Sequence, residues 1–221
     1  MIAKELISEL VPSIKTSDTG NQALQWMEIF RVSHLPIVNE KELLGLISDN
    51  DIFDLNSPEE PIGNHFLSLT KPYVFEDQHL FEIAEKVAEH KLTVIPVLNE
   101  KKEYIGLITL QDLLLGMAKV TNIEKHGAII VLEMNIRDYS LVQIAQLIES
   151  EDAKIISLYT SSTSDSTKID VTIKINQDDI SRIIASLNRF NYIIKHTFLN
   201  SSNLNDFYQD RLDSFFRFLN T

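Results

Sequence analysis

The sequence predicts an α/β pair of repeats followed by an α+β domain and a final helix. Three observations carry this. Gly45-Leu46-Ile47-Ser48-Asp49-Asn50-Asp51 returns later in the chain as Gly106-Leu107-Ile108-Thr109-Leu110-Gln111-Asp112. Around each copy the elements come in one order: helix, apolar strand, turn, second strand, helix. From Ala128 onward the order changes to strand, helix, strand, strand, helix, strand. There Ile169, Val171, Ile173 and Ile175 alternate with polar residues, and Ile180, Ile183, Ile184 and Leu187 follow helical spacing.

Taken in order, residues 2–10 read as a short helix with Leu6 and Leu10 on one face, ended by Pro12. Residues 13–18 are extended. Thr19 to Val32 carries a helical stripe at Ala23, Leu24 and Met27. Leu35 to Val38 is a strand, residues 39–42 the turn, Leu43 to Ile47 the returning strand, and Asp49 to Leu55 a helix. Pro58 and Pro61 mark a linker. The order then repeats. Residues 73–75 are extended, and Gln78 to Leu92 is a helix with Ile83, Ala84 and Val87 inward. Val94 to Leu98 and Tyr104 to Ile108 are strands, and Leu110 to Ala118 closes the repeat. Pro36 matches Pro96, and Asn39-Glu40-Lys41 matches Asn99-Glu100-Lys101. These patterns divide the chain into residues 1–60, 61–120, 126–200 and 201–221.

Composition sets limits on function. The 221 residues are 44% hydrophobic and 24% charged, an ordinary globular balance that allows a sizeable core. There is no cysteine, which excludes disulfides, thiolate catalysis and cysteine-based metal sites. The net charge of −12 disfavours nucleic acid and anionic membranes as partners. An anionic ligand must therefore be held by backbone donors, a few cations or a metal ion. The N-terminus is too polar for a secretory signal, and no apolar run reaches the roughly 20 residues of a membrane helix. A cytoplasmic protein is expected.

The duplicated heptapeptide admits two readings. Ser-x-x-Asp and Thr-x-x-Asp at the end of an apolar strand are helix-entry signatures, in which the hydroxyl covers a free backbone N–H. A helix start also suits a phosphate, and an aspartate one turn in can accept two hydrogen bonds from a ribose diol. Each copy is thus a capped helix or half of a nucleotide site.

The whole order, an apolar-x-Pro strand, a hairpin and a strand ending Gly-x-x-Ser/Thr-x-x-Asp, resembles the CBS motif. Two in tandem, over residues 1 to about 120, resemble a Bateman module. The resemblance implies two clefts related by a pseudo-twofold axis that take adenosine nucleotides or S-adenosyl compounds. Carried over by position, Ser48 and Thr109 contact phosphate, and Asp51 and Asp112 contact ribose. Ser33-His34-Leu35-Pro36 and Thr93-Val94-Ile95-Pro96 line the adenine, and the extended stretches around Thr16 and Val74 close the clefts. The implied ligands are AMP, ADP, ATP or S-adenosylmethionine, with or without magnesium. Many nucleotide-binding members supply a cation to the phosphates. Here Lys15, Arg31, His34, Lys71 and Lys91 are nearby, and only His34 falls within a matched segment. Its counterpart is Val94, so the first cleft is expected to take the phosphorylated ligand.

The third part has the β-α-β-β-α-β order of the ferredoxin-like plan and, after a CBS pair, resembles an ACT domain. That family pairs edge to edge and binds amino acids at the loop after its first strand, here residues 135–140. The usual glycine at the loop–helix junction is absent, which points to assembly rather than ligand binding. The whole chain is similar to stand-alone CBS–ACT proteins related to acetoin-utilisation accessory proteins. Residues 204–219 form a further helix candidate, with Leu204, Phe207, Tyr208, Leu212, Phe215 and Phe216 on one side.

No Gly-rich phosphate loop and no Gly-x-Ser-x-Gly elbow occurs. The six histidines, His34, His65, His79, His90, His126 and His196, show no metal-ligand spacing. The expectation is a non-enzymatic regulator that binds an adenosyl ligand, forms a homodimer and acts on a regulated protein the sequence does not name. The alternatives are a dimerisation module with empty clefts, or an amino-acid sensor acting through the third part.

Overall fold

The computed structural model describes residues 1–65 and 68–199, which form two compact units, one over Met1–Val120 and one beginning at Thr121. The helix candidate at 204–219 lies outside the described residues.

In the first unit, α1 (Gly20–Phe30) is followed by β1 (His34–Asn39), β2 (Glu42–Ser48) and α2 (Asp49–Phe53). Then come β3 (Val74–Phe75), α3 (Leu80–His90), β4 (Val94–Leu98), β5 (Tyr104–Thr109) and α4 (Leu110–Val120). The two long helices of the repeats start and stop alike. Thr19 caps α1 by accepting from Gln22 N–H, and His79 caps α3 by accepting from Phe81 N–H. Each ends on a basic residue in the left-handed conformation, Arg31 and Lys91, which turns the chain into the following strand. β1 pairs antiparallel with β2, and β4 with β5. β3 adds to β4 in parallel through Val74 and Val97, and the first repeat has the same contact in miniature between Ile14 and Ile37.

Both repeats share one core. Ala23, Met27, Leu35, Ile47 and Ile52 of the first lie in a single buried cluster with Leu80, Ile83, Val94, Ile95 and Ile108 of the second. The lead-in segments are exchanged. Residues 1–8, which precede the first repeat, bond to the second: Ala3 N–H donates to Gln78 O at 2.9 Å and Ser8 N–H to Leu107 O at 2.8 Å. Leu46 N–H, in the first repeat, donates to Thr70 O at 2.9 Å, in the stretch that precedes the second.

This exchange explains the glycine of each heptapeptide. A Cβ on Gly45 would stand 2.7 Å from Leu69 Cβ, and one on Gly106 would stand 2.5 Å from Ile7 Cγ2. Gly106 also has φ +152°, which other residues rarely adopt. It also corrects the expectation for residues 2–10. Only Ala3–Leu6 is helical, as a single 3-10 turn, and Leu10 is 78% exposed. The chain flattens at Ile7 and Ser8 because it is laid across Gly106.

The second unit contains β6 (Ile129–Asn135), α5 (Leu141–Glu149), β7 (Ile155–Ser162), β8 (Lys168–Ile175), α6 (Ser181–Arg189) and β9 (Ile193–Phe198). Its strands form one antiparallel sheet in the order β7-β8-β6-β9. This is the predicted element order. One sheet face packs on the helices: Ile130, Leu132, Val171, Ile173 and Ile175 cluster with Ile144, Ile148, Ile183 and Leu187. On the alternate positions charges pair across strands, Lys168 with Glu133 and Lys195 with Asp170, both at 2.7 Å.

A candidate ligand site at the seam between the repeats

Each duplicated Ser/Thr-x-x-Asp forms a closed cap. Ser48 Oγ donates to Asp51 Oδ2 at 2.6 Å and accepts from Asp51 N–H at 3.1 Å, while Ser48 N–H donates to Asp51 Oδ2 at 2.8 Å. Thr109 and Asp112 repeat the pattern, at 2.6 Å from Oγ1 to Oδ2, 3.0 Å from Asp112 N–H to Oγ1, and 3.3 Å from Thr109 N–H to Oδ2. The helix-cap reading of these residues therefore holds. It does not consume the carboxylate: among the described residues only Oδ2 is engaged in both caps, which leaves Oδ1 as a fixed acceptor. Thr109 is 8% exposed, whereas Ser48 is half-buried, so the first cap is the more open of the two.

The strand starts of the two repeats meet beside these caps. Asp49 N–H donates to Ser33 O at 3.1 Å, and Leu110 N–H donates to Thr93 O at 2.9 Å, the same bond in each repeat. Across the seam the symmetry breaks. Ser33 N–H donates to Thr93 Oγ1 at 2.9 Å, and Thr93 Oγ1 lies 3.0 Å from His34 Nδ1. Thr93 N–H also faces His34 Nδ1, at 3.4 Å. The hydroxyl accepts from Ser33, and its own proton is available to an unprotonated Nδ1. With Thr93 N–H donating to Nδ1, the arrangement favours the neutral tautomer that carries its proton on Nε2.

This changes the chemistry expected of His34. Its place in a matched segment suggested a cation for phosphate. Burial pushes its pKa below the ordinary histidine value of 6.5, against an upward pull from the carboxylates of Asp49 and Asp51. Near neutral pH it is an uncharged donor–acceptor. Its counterpart Val94 is fully buried.

The other candidates divide by burial. Leu35, Val74, Val94 and Ile95 are 0% exposed and belong to the shared core, and Pro36 and Pro96 are buried too. These positions offer a ligand backbone rather than side chain. Thr16 Oγ1 donates to Asn39 Oδ1 at 3.2 Å, and Thr16 O accepts from Gly63 N–H at 2.8 Å, so Thr16 ties β1 to the linker. Thr93 also lines a mainly apolar hollow of about 530 Å³ between α3 and α4, with Val87, Leu110 and Leu113. Thr93 was read from the sequence as an adenine-lining residue. Its hydroxyl bridge to the other repeat was not, although the pairing of Ser33 with Thr93 and of His34 with Val94 marks where the repeats stop matching.

A second site candidate lies in the other unit. β9 begins opposite Glu133, so Met134 and Asn135 of β6 run past its start. A cavity of about 760 Å³ occupies this corner, with Gln143, Ser186, Arg189 and Tyr192 in its walls. Ser186 is 2% exposed, a hydroxyl on the buried face of α6. Burial raises the Tyr192 pKa above its usual 10.0. The sequence pointed only to residues 135–140. The polar Ser186 within the stripe of Ile183 and Leu187 was the signal for the rest.

Among the described residues no helix is long and apolar enough to cross a membrane, and no group of three or more acidic or histidine side chains could hold a metal ion.

Residues 3–57 and 67–119 match the family described as the CBS domain. Among curated proteins, inosine-5'-monophosphate dehydrogenase of Methanocaldococcus jannaschii is 29% identical over 115 residues, which is 51% of this chain and 23% of that protein. Homoserine O-acetyltransferase of Methanococcus vannielii is 27% identical over 117 residues, 51% of this chain and 24% of that protein. The match thus spans about a quarter of these relatives. Among solved structures, a CBS domain pair/ACT domain protein from Thermotoga maritima shares 21% identity, covering 54% of this chain and 98% of that one, with a TM-score of 0.48. A structure of CBSX2 in complex with AMP shares 19% identity over 54% of this chain and 97% of that one, with a TM-score of 0.46. The duplicated heptapeptide, the shared core and the family match lead to one conclusion: residues 3–57 and 67–119 of this chain are a tandem pair of CBS domains.

Proposed function

We propose that the CBS pair is a non-enzymatic regulatory module that binds an adenosyl ligand at the seam between its repeats. The observation that carries this is the state of Asp51 and Asp112. Each carboxylate is held by its own cap through Oδ2, which leaves Oδ1 to accept from a ribose hydroxyl. The hydroxyls Ser48 and Thr109 already donate to carboxylate. Their part is to position the aspartate. The first repeat is the better site, because its cap is more open and the polar His34 stands beside it. AMP, ADP, ATP and S-adenosylmethionine all carry the required adenosyl group. Magnesium, where it takes part, travels on the ligand phosphates, since no protein cluster among the described residues offers it a place. Binding shifts the two repeats relative to one another only through a difference in affinity between two arrangements. A homodimer in the cytoplasm, acting on a regulated protein, completes the reading.

Calorimetric titration tests it. Each of the four ligands is added, with and without magnesium, to the wild type, Asp51→Ala, Asp112→Ala and the double variant. Micromolar binding that a folded Asp51→Ala loses is the expected result. No binding to the wild type by any of the four leaves the CBS pair as a dimerisation module.

A second reading rests on the cavity at the end of β6, in an ACT-like domain. Arg189 offers a guanidinium to a carboxylate, and Asp138 a carboxylate to an ammonium group, across a space of about 760 Å³. An amino acid has both charges. A rise in melting temperature with an amino acid, abolished in Arg189→Gln, supports this reading.

A further inference from the structure

The geometry points to His34 as the hydrogen-bond donor that reads the ligand in the first cleft, with Thr93 of the other repeat as the residue that positions it. This deepens the adenosyl reading and rests on it. Three features of the structure support this.

The first is the use of the two ring nitrogens. Nδ1 faces Thr93 Oγ1 at 3.0 Å and Thr93 N–H at 3.4 Å. No hydrogen bond among the described residues engages Nε2, so a neutral ring has one N–H donor to spare. The second is position. His34 begins β1, is half-buried, and feels the carboxylates of Asp49 and Asp51 at the start of α2. Asp51 is the proposed ribose acceptor. The third is asymmetry. Val94 occupies the matching place in the second repeat and is fully buried, so that position offers the second cleft no such donor.

An uncharged N–H beside a ribose-binding carboxylate suits an acceptor nitrogen of the base or a ribose oxygen better than it suits phosphate charge. The tautomer is set from across the seam. Thr93 Oγ1 accepts from Ser33 N–H and, with the ring in its Nε2–H form, donates a hydrogen bond to Nδ1. One imidazole thus ties the ligand of the first repeat to the backbone of the second. Thr93 touches no ligand atom in this role; it acts through His34.

The test uses the full chain, AMP as the probe, and three variants: His34→Val, Thr93→Val and Thr93→Ser. Two readouts are taken at pH 7, the AMP affinity by calorimetry and the imidazole nitrogen shifts by NMR in the free protein. The wild type should show the Nε2–H tautomer. His34→Val, which makes the first cleft resemble the second, should weaken AMP about three- to tenfold, the worth of one neutral hydrogen bond. Thr93→Val should mix the tautomers and weaken AMP to a similar extent, and Thr93→Ser should restore both. A serine that restores folding but neither readout would reduce Thr93 to packing and overturn the inference. So would an Nδ1–H tautomer in the wild type, or unchanged affinity in His34→Val. In each of these cases AMP still binds and the adenosyl reading stands. Absence of AMP binding to the wild type overturns the ligand contact together with the adenosyl reading, whatever the tautomer.

Discussion

Replacing Gly106 with alanine should destabilise the first unit more than any other single added methyl group along the two heptapeptides. The new Cβ would lie 2.5 Å from Ile7 Cγ2. Ile7 is packed against the shared core, so it cannot simply move out into water. Overpacking of this kind costs about 1–3 kcal/mol. The backbone at φ +152° adds the strain of a conformation that suits glycine, about 1–3 kcal/mol more. The sum, about 2–6 kcal/mol, is a large part of the stability of an ordinary domain. Gly45→Ala meets Leu69 Cβ at 2.7 Å without the positive φ, and should cost only the packing share of about 1–3 kcal/mol. Urea unfolding of the two variants measures the difference. A double-mutant cycle with Ile7→Ala separates the two contributions, because shortening Ile7 removes the clash and leaves the strain. Coupling between residues 7 and 106 should be at least about 1 kcal/mol. A Gly106→Ala protein as stable as the wild type, or a cycle with no coupling, would refute the account of why glycine stands there.

Two further outcomes are expected. Ser48→Ala removes the cap acceptor of α2 and should cost about 1 kcal/mol, seen as a melting temperature lower by about 2–4 °C; Thr109→Ser, which keeps the hydroxyl, should stay within about 1 °C of the wild type if capping is what matters. Burial pushes Tyr104 up to about 12, against a smaller downward pull from its hydrogen bond with Ser13. An unfolded tyrosine ionises near 10. The folded value is the higher one, so this stabilising contribution is complete below pH 10 and is lost as pH rises from there toward 12. An ultraviolet pH titration of wild type against Tyr104→Phe should show one phenol that ionises only with alkaline unfolding, and the phenylalanine variant should lose less stability across that window.

What the sequence made legible was local or duplicated. Ser48-x-x-Asp51 and Thr109-x-x-Asp112 are caps that need only their own few residues, and both form. The repeat was legible because Pro36 and Pro96, Gly45 and Gly106, and Asp51 and Asp112 stand at matching places. The strands of the second unit were legible from alternation, as at Val171, Ile173 and Ile175, all fully buried. Less legible were effects of distant contact. Leu6 and Leu10 have helical spacing, but pairing of Ser8 with Leu107 overrides it. His34 looked like a cation in the sequence, and its burial, which only the fold reveals, favours the neutral ring. Thr93 looked like one more wall residue, because its hydroxyl finds its partners in the other repeat. The corner cavity needed the knowledge that β9 starts late along β6, a matter of register that no single strand reveals.

The exchanged lead-in segments bear on how the first unit can be built. Ile7 and Gly106 touch, so the chain between them closes a loop of about a hundred residues, a contact that costs loop entropy and forms slowly. During synthesis Ala3 has no partner until Gln78 has left the ribosome, and Ile7 and Ser8 have none until β5 has followed. The first repeat, for its part, waits for Leu69 and Thr70 to cover Gly45. Neither repeat cut out by itself would have its own cover, since each carries the other's. A gene trimmed to a single repeat should yield a chain that pairs with a second copy to recover the missing segment, and two such copies would rebuild the natural pair as a swapped dimer.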